Sequence, residues 1–115
     1  MKVKYATMIV KDMERSVQFY TEMGFAVDSR FSPAPHVAIT LMKGDGDAMV
    51  ELIKNDVDPV GFYSVGMEVD DVPGIVENLR ARGVKILTEP TPIAVGMMAI
   101  IEDLNGVRIG LTQHH

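Results

Sequence analysis

Over residues 3–10 apolar and polar side chains alternate loosely, as in a half-buried strand. The period then lengthens: Met13, Val17 and Tyr20 recur at helical spacing behind Asp12, an N-cap residue, until Gly24 ends the run. Strand-like residues return over 25–31. Ser32, Pro33, Ala34 and Pro35 follow, and with two prolines unable to donate to a ladder this segment reads as a loop. Two further strands, 36–42 and 48–54, flank Gly44-Asp45-Gly46-Asp47, whose glycines suit a hairpin turn. Beyond residues 55–61 the order is written again: strand 62–69, cap Asp71, helix to Arg82, stop at Gly83, strand 84–87, a proline-rich loop, strand 96–102, the turn Asn105-Gly106 and strand 107–112.

The second writing is in register with the first. A displacement of 59 positions, the separation of Val10 and Val69, carries Asp12, Val17 and Gly24 onto Asp71, Val76 and Gly83 without a gap. It also carries Val50 and Leu52 onto Ile109 and Leu111. The pattern predicts an α+β fold: two βαβββ modules related by a pseudo-twofold, forming a curved eight-stranded mixed sheet around a cavity. The whole chain, 1–115, is one domain, with module one at 1–54, a linker at 55–61 and module two at 62–113. A ligand pocket should then draw on equivalent positions of the two copies.

Composition narrows the function. The 115 residues are 47% hydrophobic and 23% charged, enough for one core, and no apolar run approaches the roughly 18 residues of a membrane span. The start, Met1-Lys2-Val3-Lys4, leads into a strand pattern rather than a signal region, so a cytoplasmic protein with no membrane partner is expected. There is no cysteine, which removes disulfides, thiolate metal sites and thiol nucleophiles. A net charge of −5 and a pI near 5.0 leave no basic stripe for a phosphate backbone, so no nucleic-acid partner is expected.

Several segments carry a resemblance together: VKDMERSVQFYTEMGF, its echo VDDVPGIVENLRARGV, the strand AMVELI and the closing EDLNGVRIGL. In these the chain resembles the vicinal-oxygen-chelate superfamily, which includes glyoxalase I, extradiol dioxygenases, fosfomycin-resistance enzymes and bleomycin-resistance proteins. The resemblance runs nearly end to end. It implies eight strands curled into a cavity, often completed by a second subunit, and in the metalloenzymes four inward-facing ligands, one on the first and one on the last strand of each copy. Aligned on Asp12 and Asp71, those positions are Tyr5, Glu51, Ser64 and Gly110. Glyoxalase I carries histidines at the two first-strand positions and glutamates at the two last-strand positions, so only Glu51 is retained. One carboxylate with a phenol and a hydroxyl is a poor donor set for a divalent transition metal, so neither a metal site nor a cofactor is expected.

Strand alternation fills the same cavity differently. If Glu51 points inward, so do Met49 and Ile53, with Tyr5, Thr7 and Ile9 from the first strand, Ser64, Gly66 and Glu68 from the fifth, and Arg108, Gly110 and Thr112 from the last. Val50 and Leu52 then pack under the helices. The predicted ligand-binding residues are Tyr5, Thr7, Met49, Glu51, Ser64, Glu68, Arg108 and Thr112, with Glu51 the one catalytic candidate and Arg108 its expected ion-pair partner. Each has a plainer role available: Glu51 and Arg108 as a mere buried pair, Tyr5 and Ser64 as lining. His36, at the start of the predicted strand 36–42, reads as a surface or strand-edge residue, and His114 and His115 as a disordered chain end or a remnant. The Gly44–Asp47 turn lacks the spaced oxygens of a calcium loop. Met49 with Met97 or Met98 could form an adaptable wall.

Three functions fit these residues. The first is a metal-free, homodimeric protein that binds a small molecule, similar to the bleomycin-resistance branch. The second is a glyoxalase-like lyase or isomerase, metal-dependent or using Glu51 as general base. The third is a subunit or regulatory module whose cavity is vestigial.

Overall fold

The structure, a computed structural model, describes residues 1–115. It contains eight strands and two helices in the order β1 (Lys2–Ile9), α1 (Met13–Glu22), β2 (Ala26–Ala34), β3 (Val37–Lys43), β4 (Met49–Lys54), β5 (Gly61–Glu68), α2 (Val72–Ala81), β6 (Lys85–Ile93), β7 (Gly96–Glu102) and β8 (Arg108–His114). This is the βαβββ order written twice. The chain forms two compact units, Tyr5–Tyr63 and Ser64–His115, the latter joined by Met1–Lys4. No helix is long and apolar enough to cross a membrane.

In the first unit β1 pairs parallel with β4, while β3 pairs antiparallel with both β4 and β2. Asp12 accepts from the Arg15 N–H at 3.1 Å and caps α1, and Gly24 ends it at φ 108°, a conformation that favours glycine. Val17, Met42 and Leu52 are buried as one cluster, with Met8, Val10, Met13, Tyr20, Phe25 and Val50 packed around it. Met8 of β1 and Val50 and Leu52 of β4 therefore lie under α1, and the odd-numbered residues that alternate with them form the open face.

The second unit repeats this arrangement: β5 pairs parallel with β8, and β7 pairs antiparallel with β8 and β6. Asp71 accepts from the Gly74 N–H at 3.1 Å, and Gly83 takes the left-handed stop at φ 85°. Val69, Val72, Val76, Ala99, Ile101 and Leu111 are buried beneath α2, flanked by Met67, Ile75, Leu79 and Ile109. The likeness extends to single hydrogen bonds. Val10 N–H donates to the Ile53 carbonyl at 2.8 Å and Val69 N–H to the Thr112 carbonyl at 2.9 Å, each 59 positions from its counterpart.

Three local expectations are corrected. β2 runs through Ser32 and Pro33, and β6 through Pro90 and Pro92, where loops were expected. Both strands pair along one side only, where a missing N–H on the open side costs no ladder bond, and register shifts take in Pro33 and Pro90 while Pro92 stays in register opposite Met97. His36 is not the first residue of β3 but an exposed turn residue at φ 69°. His114 is no frayed end: it closes β8 opposite Gly96, and its Nδ1 lies 3.1 Å from Glu68 Oε2.

Candidate functional site

The open face of the first unit is built in rows across β3, β4 and β1. One row is Lys43, Met49 and Tyr5; the next is Leu41, Glu51 and Thr7; the next is Ile39, Ile53 and Ile9. Thr7 is 3% exposed and donates its hydroxyl hydrogen to Glu51 Oε1 at 2.7 Å. That contact spans 44 residues of sequence and fixes both side chains on one face. Leu41 and Ile9 are buried on the same side. Glu51 thus sits among aliphatic walls with one hydroxyl attached.

Two effects oppose each other at Glu51. Burial raises its pKa because the charged form loses water; the Thr7 hydroxyl, which bonds better to the carboxylate, lowers it. Burial is the larger, and the carboxyl stands above its ordinary value of 4.5. Such a group holds its proton more tightly than a surface glutamate, and when ionised attracts a proton or cation more strongly.

The other predicted residues lie in the second unit. Glu68 and Thr112 are cross-strand partners on its open face, and Ser64 is only 7% exposed. Glu68 is held by Lys2 Nζ at 3.8 Å and by His114, a cluster the sequence did not suggest because Lys2 and His114 stand near the chain ends. Arg108 opens β8 half-buried and Gly110 follows two residues on. Met98 pairs with Thr112 on this face, whereas Met97 packs against the core beneath α2. Gln113 was also missed: its side-chain carbonyl accepts from the Val72 N–H at 2.8 Å and secures the start of α2. A shallow groove of about 480 Å³ beside α1, lined by Lys11, Arg15, Phe19 and Val60 among others, includes none of the predicted site residues.

The residues do not fit a metal of the kind the family's metalloenzymes hold. The four positions offer one carboxylate, a phenol, a hydroxyl and a glycine. Nowhere do three histidine, aspartate or glutamate side chains converge as a metal centre requires.

Two βαβββ units, each backing its sheet with one helix, define a paired-module class of α+β protein. The chain belongs to the Glyoxalase/Bleomycin resistance protein/Dioxygenase superfamily, whose family model matches residues 2–111. It is 31% identical over 120 residues to a probable lactoylglutathione lyase of Synechocystis sp., covering 93% of this chain and 92% of that protein. It is 35% identical over 116 residues to a probable chloroplastic lactoylglutathione lyase of Arabidopsis thaliana, covering 90% of this chain but only 33% of that protein, so the chain spans about a third of that relative. Methylmalonyl-CoA epimerase from Mycobacterium tuberculosis has the same fold, with a TM-score of 0.83 over 98% of this chain and 87% of that one at 18% identity.

Proposed function

We propose that the open face of the first unit binds a small organic molecule without a metal, as a glyoxalase/bleomycin-resistance-like binding protein, with Glu51 as polar anchor and Tyr5, Thr7 and Met49 beside it. The observation that carries this reading is Glu51 itself: a half-buried carboxyl among Leu41, Ile9 and Ile53, oriented by Thr7 and raised by burial. Aliphatic walls with one aimed polar group suit an organic ligand, and the anchor favours one with an amine or another hydrogen-bond donor. The residues of the second unit, Ser64, Glu68, Arg108 and Thr112, are assigned to ligand contact on that unit's own open face.

The raised pKa also favours a second reading, an isomerase or lyase in which Glu51 takes a proton from carbon next to a carbonyl, and curated relatives named as lyases support it. Glu51→Gln separates the two, since it keeps the shape and removes the charge. Under the binding reading, cationic-ligand affinity falls, no turnover is found in wild type, and protein purified without chelators carries no stoichiometric divalent ion. Under the general-base reading, turnover is abolished while binding changes little. A stoichiometric ion held by Glu51 overturns the metal-free assignment.

A further inference from the structure

The open face of the first unit differs on the two sides of Glu51. β3 pairs on to β2, and the register carries the rows of the site outward to that edge strand: Ser29 stands beside Leu41, and Phe31 beside Ile39. Cross-strand partners project to one face of a sheet, so Ser29 and Phe31 share the face of Glu51. Arg30, between them, agrees with this parity, since its guanidinium pairs with Glu14 of α1 on the opposite side.

Next to the Glu51 row therefore runs a row with no polar side-chain atom: Ile9, Ile53, Ile39 and Phe31, one from each of four neighbouring strands. Exposure opens along it in one direction. Ile9 is closed off at 3%, Ile53 and Ile39 are partly buried, and Phe31 stands at 47%. On the other side of Glu51 lie Tyr5, Met49, Lys43 and Ala26. Lys43 is exposed, and its Nζ donates to the Gly46 carbonyl at 3.3 Å in the turn beyond β3, which leaves Glu51 as the charge available within the face. Covering the open part of the apolar row removes hydrocarbon from water and strands no polar group.

We infer that Ile53, Ile39 and Phe31 form a subsite for an aliphatic arm, so that the ligand of this face is an amine carrying a chain of several carbons, its ammonium on Glu51 and its chain running out toward β2. The direction follows from exposure, because Ile9 closes the row on the β1 side. From Ile53 to Phe31 the row crosses two strand spacings, about 10 Å, more than a short amine covers. This subsite rests on the reading that Glu51 anchors a small molecule, and it adds the class of that molecule.

The test titrates ethylamine, n-butylamine, n-hexylamine and n-octylamine into the full chain and follows methyl signals by NMR. In wild type each methylene beyond ethylamine is expected to strengthen binding about two- to fourfold, with the Ile39 and Ile53 methyl signals moving on addition of octylamine. Ile39→Thr keeps a β-branched side chain in the strand but puts a hydroxyl into the row, so it should weaken octylamine by about threefold or more and leave ethylamine unchanged. Glu51→Gln should weaken all four amines by one common factor and leave the gain per methylene as it was. If Glu51→Gln weakens ethylamine but longer chains gain nothing in wild type, the subsite is absent and the proposed function stands. If the gain per methylene appears but Glu51→Gln weakens no amine, the subsite stands and the anchoring role of Glu51 falls. A gain that Ile39→Thr leaves intact overturns the inference. So do octylamine shifts at Phe19 and Val60, in the groove beside α1, in place of Ile39 and Ile53, and that wild-type result decides the matter even if Ile39→Thr does not fold.

Discussion

At the scale of single residues, Glu51 ties site chemistry to stability. Its pKa is raised in the folded chain, so between the ordinary value of 4.5 and the raised one the native state binds more protons than the unfolded state. Stability therefore falls as pH rises through that window. The penalty is complete above the folded pKa and absent below the unfolded one. Glu51→Gln should raise the denaturation midpoint at neutral pH, with the gain vanishing on acidification below about 4.5; a gain of equal size at both pH values would assign the effect to something other than charge. Thr7→Val removes the hydroxyl that lowers the Glu51 pKa, so carboxyl NMR titration should show a further upward movement, and Thr7→Ser should restore the wild-type value. Alternation along each strand was enough to name both residues as facing the same way. Their hydrogen bond was not legible, because it needs the pairing register of β1 with β4, which no local pattern contains.

The elements show where periodicity is a sufficient guide and where it misleads. Both helices were legible because apolar spacing, an aspartate cap and a glycine stop agree in each. Leu52 is fully buried beneath α1, and Leu52→Ala should cost about 2–5 kcal/mol in chemical denaturation. A shift no larger than that of a surface substitution would move every assigned face residue to the other side of the sheet. Asp12→Ala should cost about 1 kcal/mol through the lost cap. The start of α2 is doubly held, since Asp71 receives Gly74 N–H and Gln113 receives Val72 N–H, so Asp71→Ala should cost less when Gln113 is present than in a Gln113→Ala background. The prolines misled because their ban applies to central strands: Pro33, Pro90 and Pro92 lie in strands paired on one side, a placement visible only once the strand order is known.

For the molecule as a whole, the 59-residue register was the most legible feature, and it carried the βαβββ order, the helix faces and the family together. It also showed where the copies differ in chemistry, with Gly110 at the position of Glu51 and Gly66 at that of Thr7, but not that the two glycines are cross-strand partners, which needs the pairing register of β5 with β8. Assembly is the remaining expectation. β2 and β6 are each unpaired along one side, and Val27, Phe31, Leu87 and Ile93 are exposed along them at 37–47%. Their prolines and register shifts discourage ladder pairing with another chain, so a partner copy would meet these strands through side chains rather than by extending a sheet. We propose a homodimer closed in this way. Light scattering at micromolar concentration should give twice the 12.6 kDa of one chain, and Phe31→Glu, which puts a charge on one such strand, should return the single-chain mass without lowering the denaturation midpoint of the monomer. A wild-type mass of 12.6 kDa under those conditions would remove the dimer.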